Sequence, residues 1–363
     1  MTKLFSSFNL LDTIKIDNKN NAFDFVRLVL ALFVVFAHSR YLYGVDDILH
    51  WSEIHFDNLH AGTIAIWGFF AISGYLVTSS WQRSNGVVDF VVKRYKRIFP
   101  GFWVSILVCG CFFVPLWYFI KEKTLANFWT INGLDWWKFM SSNLDSEIKI
   151  NSVGKVAIDT IDGPWWTIHH ELRAYIFLGI LGFLGFLKGQ YKWLILAITL
   201  FLNIVRIIYS YNPDFASFYG QWFGDERILL FVAVFMWGVS INLFKEYLTI
   251  KWSGMAVSLL ILITATLSNS LPIVLPFCFT YFILCLCFTL PIRNISKKIG
   301  DLSYGIYLYH WPVRLTLQML GFQSSLGIWQ FVGLDLLLTL PLAFLSWNFV
   351  EKRWLVRHQA IKI

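Results

Sequence analysis

The chain has 363 residues, of which 57% are hydrophobic and only 14% are charged, and its formal net charge at neutral pH is +8. A soluble domain of this length needs more polar surface than this composition supplies, so the sequence predicts a polytopic membrane protein. In such a protein the positive charge belongs to cytoplasmic loops and to contacts with anionic lipid or substrate, and nucleic acid is not an expected partner.

Apolar segments of membrane-spanning length recur along the chain. They cover residues 23–43, 60–80, 100–120, 166–187, 192–210, 227–244, 252–269, 271–290, 303–322 and 327–350. We therefore predict an all-α polytopic membrane protein of about ten transmembrane helices. One transmembrane domain would occupy residues 23–350, between a cytoplasmic segment 1–22 and a basic cytoplasmic tail 351–363. The cysteines lie in apolar runs without metal-ligand spacing, so we expect buried small side chains and no metal site.

The distribution of Lys and Arg predicts the orientation, because these residues accumulate in cytoplasmic loops. Loops 44–59 and 211–226 contain acidic residues but no Lys or Arg, whereas segment 83–97 on the opposite side is strongly basic. Both termini are therefore predicted to be cytoplasmic. The long loop 121–165 would lie outside, and its tryptophans are typical of a segment at the membrane interface.

The first predicted span contains two polar residues that merit attention, Arg27 and His38. Eleven positions separate them, which is about three helical turns, so they fall nearly on one face and about 16 Å apart along the axis. Charge within a span is costly, and such residues are functional candidates. The alternative is structural: Arg27 extends to the lipid headgroups while His38 bonds a neighbouring helix.

Two further motifs lie in the second span and in the predicted loop between the second and third spans. Ser73 and Gly74 are small residues that allow a helix or a ligand to approach closely, and helix packing is the simpler interpretation. Lys93, Arg94 and Arg97 form a basic cluster on the predicted cytoplasmic side. Such a cluster either serves orientation alone or binds a phosphorylated cytosolic ligand, because guanidinium groups suit phosphate oxygens.

Polar residues also enter the fourth and ninth spans. Glu171 follows His169 and His170, and it can orient a histidine, orient an acceptor or pair with Arg173. The same stretch contains Trp166. In the ninth span, Tyr304 and His310 belong to a run of hydrogen-bonding aromatic residues, for which an aromatic interface belt is the structural alternative. Arg206 and Asp335 have no partner identifiable from sequence, and we expect them to serve packing or ion pairing.

Five of these motifs occur in the order typical of acyltransferase family 3 membrane proteins, which the chain resembles over nearly its whole length. The motifs are Arg27 with His38 after ten intervening residues, Phe69–Tyr75, Arg94–Pro100, Trp166–Glu171 and Ser303–Pro312. The resemblance implies transfer of an acyl group, usually acetyl, from cytosolic acyl-CoA to a hydroxyl of a bacterial surface carbohydrate such as O-antigen or exopolysaccharide. Some members carry an additional SGNH-type domain, and none is expected here.

The resemblance and the residue chemistry together predict the site. A sugar hydroxyl is a poor nucleophile at neutral pH, so a general base is required, and His38 is predicted to be that catalytic base with Glu171 as a second catalytic residue. The residues predicted to bind acyl-CoA are Arg27, Ser73, Lys93, Arg94 and Arg97. The residues predicted to contact the acceptor are Trp166, His170, Tyr304 and His310.

Acyl-CoA is the donor substrate, and no other cofactor is expected. The acceptor would be a carbohydrate or a lipid-linked glycan, and the protein would span the bacterial cytoplasmic (inner) membrane several times. Two other functions are compatible with polar residues inside a membrane domain. One is a transporter or flippase for a sugar-linked lipid, and the other is a non-catalytic subunit of a polysaccharide assembly complex.

Overall fold

The computed structural model describes residues 13–14, 21–43, 60–129, 150–153, 156–158, 163–223, 226–248, 250–292 and 299–356. Three predicted segments lie mostly or partly outside these residues: the N-terminal segment 1–22, the loop 121–165 that is predicted to lie outside the membrane, and the end of the tail 351–363.

Helices dominate this part of the chain. They are α1 Phe23–Tyr43, α2 Ala61–Gln82, α3 Val87–Glu122, α4 Trp166–Phe183, α5 Lys192–Tyr211, α6 Pro213–Phe223, α7 Glu226–Leu243, α8 Trp252–Leu267, α9 Leu271–Thr289, α10 Ser303–Met319, α11 Phe322–Ser325 and α12 Ile328–Ser346. Short antiparallel strand pairs join Thr13–Ile14 to Ile250–Lys251 and Ile150–Val153 to Val156–Ile158. Every predicted span coincides with one of these helices.

Within the part of the chain that the structure describes, five helical segments are long and apolar enough to cross a membrane. They are Ala61–Gln82, Val87–Glu122, Gly189–Tyr211, Leu271–Thr289 and Ile328–Leu355. Two shorter apolar helices cover Ile228–Leu243 and Trp252–Leu267. The chain is thus a helical membrane protein, whereas the number of crossings and the cytoplasmic position of both termini stay predictions.

Two helix boundaries differ from the prediction. Helix α3 begins at Val87, so the basic cluster lies on the first turns of a helix that enters the bundle, whereas the sequence predicts a loop there. Helix α12 continues through a π-helical turn, Trp347–Glu351, and Glu351 is buried, whereas the sequence predicts that it belongs to the tail. A span predicted from hydropathy ends at its last apolar residue. The helix itself can continue beyond that residue when the charged residues that follow have buried partners.

One cysteine also differs from expectation. Cys111 is exposed, while the other four cysteines are buried. It lies in a π-helical turn, Cys109–Phe113, within α3. An apolar run in a membrane protein predicts low polarity, but it does not distinguish the protein interior from the surface that faces lipid.

Helix α2 is central to the bundle, because it packs against α1, α4, α7 and α9. Its closest neighbour is α7, and glycines on both helices permit this approach. A Cβ atom built on Gly74 would lie 2.1 Å from the carbonyl oxygen of Phe235, and one built on Gly238 would lie 2.4 Å from that of Ala71. Gly74 therefore serves helix packing, which was the simpler interpretation of its motif.

Arg206 has a structural partner that the sequence did not identify. Its Nη1 atom donates a 2.7 Å hydrogen bond to the carbonyl oxygen of Pro272 in α9. Pro276, four residues later, has no N–H to offer that carbonyl, so the helix leaves it without its usual partner. Arg206 supplies the missing donor, which supports a packing role for this buried charge.

Helix α10 lies against α1, α3 and α12. Since α2 also packs against α1 and α4, the motifs of the first, second, third, fourth and ninth predicted spans converge in one region of the bundle.

Candidate active site

A cavity opens between α1, α2, α3, α4 and α10. Its lining consists of Arg27, Ile66, Phe69, Phe70, Ile72, Ser73, Leu76, Val77, Arg94, Arg97, Thr167, Ile168, Glu171, Tyr175, Ser303, Tyr304 and Tyr307. Most of the wall on α2 is apolar, whereas arginine, carboxylate and hydroxyl groups come from the other helices. A largely apolar cavity with a few convergent polar groups is typical of a small-molecule site.

Two of the cavity arginines share one carboxylate. Arg27 Nη1 lies 2.8 Å and Arg97 Nη2 lies 2.5 Å from the same oxygen, Oδ2, of Asp301. Ser303 donates a 2.6 Å hydrogen bond to the other oxygen of Asp301. Each guanidinium has five N–H donors, so both arginines keep donors for an anionic ligand.

The ionisation of Asp301 follows from these contacts. Burial alone would raise the pKa of this carboxyl, but Arg27, Arg97 and the Ser303 hydroxyl together hold its pKa well below the usual range. Asp301 is therefore ionised at neutral pH, and it partly balances the positive charge of the arginines beside the cavity.

The third arginine, Arg94, is held differently. Its Nη2 atom donates a 3.0 Å hydrogen bond to Ser80 Oγ, and its guanidinium lies over the ring of Tyr175, 5.7 Å from the ring centre. Three guanidinium groups from α1 and α3 thus border the same cavity in fixed positions. This arrangement suits a ligand with several negative charges.

Glu171 lies in the same cavity rather than at the surface. Its Oε1 atom accepts hydrogen bonds from Ser73 Oγ, at 3.3 Å, and from the hydroxyl of Tyr175. Arg173 is exposed on another face of α4. Of the roles considered for Glu171, the geometry favours orientation of a ligand in the cavity over pairing with Arg173.

A hydroxyl pair closes the cavity near the start of α4. The Tyr307 hydroxyl donates a 2.6 Å hydrogen bond to the carbonyl oxygen of Pro164 and also contacts Thr167 Oγ1. Tyr304 lines the cavity with its ring, and its hydroxyl donates to the carbonyl oxygen of Ile98 at 3.0 Å. Tyr304 thus lines the cavity while its polar atom serves the contact between α10 and α3, and its contact with an acceptor stays a prediction.

His38 and His310 form a pair close to the cavity but do not line it. His38 Nδ1 and His310 Nε2 are 2.9 Å apart, and the two ring planes are nearly parallel, with an angle of 6°. His310 is fully buried, whereas His38 is partly exposed. Tyr307, one turn before His310 on α10, lines the cavity and connects the two regions.

Three predicted site residues lie elsewhere. Lys93 Nζ donates hydrogen bonds to Asp89 Oδ2 at 2.8 Å, to Ser84 Oγ at 2.9 Å and to the carbonyl oxygen of Arg83 at 3.1 Å. Lys93 therefore stabilises the turn between α2 and α3. Trp166 and His170 pack with Phe231 of α7 in an aromatic cluster, with ring-centre distances of 5.5 to 6.1 Å. Lys93, Trp166 and His170 are not among the described residues that line the cavity.

Acceptor contact is the predicted role of His310. In the structure this side chain has no exposed surface and its Nε2 atom lies 2.9 Å from His38 Nδ1, so His38 is the partner that the structure gives it. The structural alternative for His38 is a hydrogen bond to a neighbouring helix. The structure shows such a contact, and the group that His38 contacts on α10 is itself a histidine.

Sequence reasoning missed Asp301 and Tyr175. Asp301 is the acidic residue of an otherwise basic loop, directly before the Ser303 motif, and this contrast in charge was the available signal. Tyr175 lies one helical turn after Glu171, so the i and i+4 spacing places both side chains on one face. Among the described residues, no group of three or more potential metal ligands is gathered in one place.

Comparisons with known proteins agree with this arrangement of motifs. A family model described as an acyltransferase domain, Acyl_transf_3, matches residues 20–348. The chain is 29% identical to an O-acetyl transferase of Shigella phage Sf6, over 94% of this chain and 97% of that protein. It is 28% identical to nodulation protein 10 of Rhizobium leguminosarum bv. viciae, with 92% of each chain covered.

A more distant relative is longer than this chain. O-acetyltransferase OatA of Staphylococcus aureus is 24% identical over 86% of this chain, and the match covers 57% of OatA. No solved structure matches this chain.

Proposed function

Because the chain belongs to the acyltransferase 3 family, we propose that it is a membrane O-acyltransferase that moves an acyl group from acyl-CoA to a hydroxyl of a cell-surface carbohydrate. The names of the phage Sf6 and Staphylococcus aureus relatives favour acetyl as the acyl group. The carbohydrate acceptor, such as O-antigen or exopolysaccharide, and a position in the bacterial cytoplasmic membrane follow from the family resemblance.

The observation that carries this proposal is the single cavity in which arginines from α1 and α3 meet Glu171 and the hydroxyl groups of α4 and α10. Coenzyme A has several phosphate charges that lipid cannot accommodate, and Arg27, Arg94 and Arg97 offer forked donors for them. The apolar wall of α2 suits the uncharged arm of the donor. Ser73 and Glu171 then lie beside the path of that arm.

In this proposal His38 is the general base. It lies three turns along α1 from Arg27, about 16 Å away, so phosphates at Arg27 and a thioester near His38 can be bound at once. The acceptor hydroxyl gives its proton to His38, its oxygen bonds to the thioester carbonyl carbon, and the carbon–sulfur bond breaks to release coenzyme A. The thiolate of coenzyme A recovers the proton, so the reaction balances.

The test is a transfer assay with the purified chain in nanodiscs, supplied with acetyl-CoA and extracted surface glycans. Release of the free thiol measures donor consumption, and mass spectrometry of the glycan detects an acetyl-sized increment. We expect both signals together. Movement of a glycan across the membrane without thiol release would instead support a flippase, and activity that requires a second protein would support an accessory subunit.

Variants separate binding from chemistry in the same assay. Arg94→Ala is expected to weaken acetyl-CoA binding, with a smaller loss for Arg94→Lys, because a lysine keeps the charge but not the fork. His38→Ala should bind acetyl-CoA normally and lose ~10²-fold or more in turnover, which is a typical contribution of a general base. Near wild-type turnover of His38→Ala would remove His38 from the mechanism.

Glu171→Gln addresses the second predicted catalytic residue. Gln keeps an oxygen that can accept from Ser73 and Tyr175 but loses the negative charge. Reduced turnover with unchanged donor binding is the expected result, whereas wild-type kinetics would assign Glu171 to structure.

A further inference from the structure

The hydrogen bonds of His310 determine which of its ring nitrogens carries the proton. Its Nδ1 atom lies 3.0 Å from the carbonyl oxygen of Ile306 and 3.2 Å from that of Tyr307. A carbonyl oxygen only accepts hydrogen bonds, so His310 Nδ1 must be protonated. In a neutral imidazole the second nitrogen, Nε2, is then an acceptor.

This acceptor in turn determines the tautomer of His38. His310 Nε2 lies 2.9 Å from His38 Nδ1, and two unprotonated nitrogens would gain nothing from that approach. His38 Nδ1 must therefore donate, and its own Nε2 atom is left without a proton. The backbone of α10 thus dictates, through two rings, which nitrogen of His38 is basic.

We infer that His310 is a positioning residue that holds His38 in the Nδ1–H tautomer and so presents Nε2 as the base of the acyl transfer. This inference rests on the proposed function, because it assumes that His38 takes the proton of the acceptor hydroxyl. When His38 Nε2 takes that proton, Nδ1–H continues to donate to His310, and the new imidazolium keeps a hydrogen-bond acceptor.

The exposure of the two histidines agrees with these different roles. His310 has no exposed surface, so substrate cannot reach it, while His38 is partly exposed. The arrangement has the logic of a catalytic base that is oriented by a third group behind it. Here a neutral imidazole occupies the place that a carboxylate occupies in the Ser-His-Asp arrangement.

The charges around the pair favour a neutral His310. Arg314, one turn later on α10, donates from Nη1 to the carbonyl oxygen of His38 at 2.9 Å, and its guanidinium stacks 3.8 Å from the Trp311 ring centre. Among the described residues, His60 at the start of α2 is a further titratable group near His38. A cationic His310 would add a second buried positive charge beside Arg314, and the buried carboxylate of Asp335 in α12 already interacts electrostatically with the Arg314 guanidinium.

The direct test reads the tautomer without reference to activity. The full chain, labelled with ¹⁵N-histidine and placed in nanodiscs, gives separate ¹⁵N signals for protonated and unprotonated ring nitrogens. The signals of His38 are identified by their loss in His38→Gln. We expect a protonated Nδ1 and an unprotonated Nε2 for His38. A protonated Nε2 on His38 in the wild-type chain would overturn the inference, whatever the activity.

Two variants of His310 then test its role in turnover. His310→Leu keeps most of the volume but removes the acceptor, so His38 is free to adopt the other tautomer and kcat should fall on the order of 10²-fold, with an unchanged KM for acetyl-CoA. His310→Gln offers a side-chain oxygen close to the former Nε2 position, so it should restore the Nδ1–H signal of His38 and bring kcat back to within about 10-fold of wild type.

Leu317→Ala on the same helix is the control for packing. Leu317 is buried, so its truncation lowers thermal stability without altering the His38 signals. Wild-type kcat in His310→Leu would overturn the inference while leaving the proposed function intact. If the wild-type chain transferred no acetyl group, the proposed function would be refuted. The ¹⁵N spectrum would still determine the tautomer of His38 in that case.

Discussion

At the scale of single residues, Asp301 is the charge on which the arginine end of the cavity depends. It joins Arg27 of α1 to Arg97 of α3, although 274 residues separate it from Arg27 in the sequence. The side chains of these three residues are all less than one-fifth exposed. Two guanidinium groups in such a position need a nearby negative charge whenever no anionic ligand is bound.

Removal of this carboxylate should therefore cost stability. We predict that Asp301→Asn lowers the free energy of unfolding by about 3 kcal/mol, because both arginines lose their ionised partner while they stay largely buried. The midpoint of thermal unfolding in detergent measures the effect. Saturating acetyl-CoA should recover part of the loss, since its phosphates then pair with the arginines.

A second ion pair provides the matched comparison. Asp89→Asn breaks the pair with Lys93 within α3, where the i and i+4 contact is worth less than about 1 kcal/mol. An equal loss of stability in the two variants would contradict the special role of Asp301.

The contribution of Asp301 to stability also depends on pH. Because the pKa of Asp301 is depressed in the folded protein, its contribution to the free energy of unfolding is fully present above about pH 4. That contribution declines only as the pH falls toward the lower pKa of the folded protein. The difference between wild type and Asp301→Asn should therefore be constant between about pH 5 and pH 9.

At the scale of helices, the contact between α2 and α7 fixes one wall of the cavity. Ser73 and Gly74 are neighbours in the chain, but Ser73 faces Glu171 in the cavity and Gly74 faces the backbone of α7. One short motif thus serves a ligand site on one face of the helix and close packing on another. Larger residues at Gly74 would push α2 away from α7 and so deform the cavity wall.

We predict that Gly74→Ala destabilises the protein by about 1 to 3 kcal/mol, because its Cβ atom would lie 2.1 Å from the carbonyl oxygen of Phe235, and backbone cannot rotate away as a side chain can. Gly333→Ala in α12 is the control, since nothing lies within 4 Å of the added Cβ. In that helix the change should be neutral or stabilising by about 0.5 to 1 kcal/mol. Thermal unfolding of both variants in the same detergent decides the matter, and similar midpoints would show that the close contact is not maintained in the membrane.

At the scale of the whole molecule, α3 offers a test of orientation. This helix covers 36 residues from Val87 to Glu122, including the π-helical turn Cys109–Phe113, and its length of about 54 Å exceeds the thickness of a bilayer core. We therefore predict that the residues just before and just after it lie on opposite sides of the membrane. The cavity arginines Arg94 and Arg97 lie in the first half of this helix. If the predicted orientation is correct, they face the cytoplasm, where acyl-CoA is made.

We predict that a cysteine at Asn85 is accessible from the cytoplasm and one at Thr124 from outside. A membrane-impermeant maleimide added to intact cells should label Thr124→Cys at once and Asn85→Cys only after permeabilisation. The background should lack the native cysteines Cys109, Cys111, Cys278, Cys285 and Cys287. Labelling of both positions in intact cells would contradict a crossing by α3, and the reverse pattern would invert the predicted orientation.

The sequence by itself determined the helices and the membrane class. The span predicted at 23–43 is the helix Phe23–Tyr43, and each other predicted span overlaps a helix to within a few residues at most ends. Runs of apolar residues suffice for this, because a backbone in lipid must bond to itself and the helix does so locally. The polar residues within these runs could be identified from the sequence as well, because they interrupt otherwise apolar segments.

Only the tertiary structure decided which of those polar residues meet. The partners lie far apart in the sequence: His38 and His310 are separated by 272 residues, and Ser73 and Glu171 by 98. Spacing within one helix gives the face of a side chain but not the rotation of that helix against its neighbours, which is set by close packing such as that at Gly74. Packing therefore brought Arg27 to Asp301, left Lys93 at a turn, and made His310 the partner of His38.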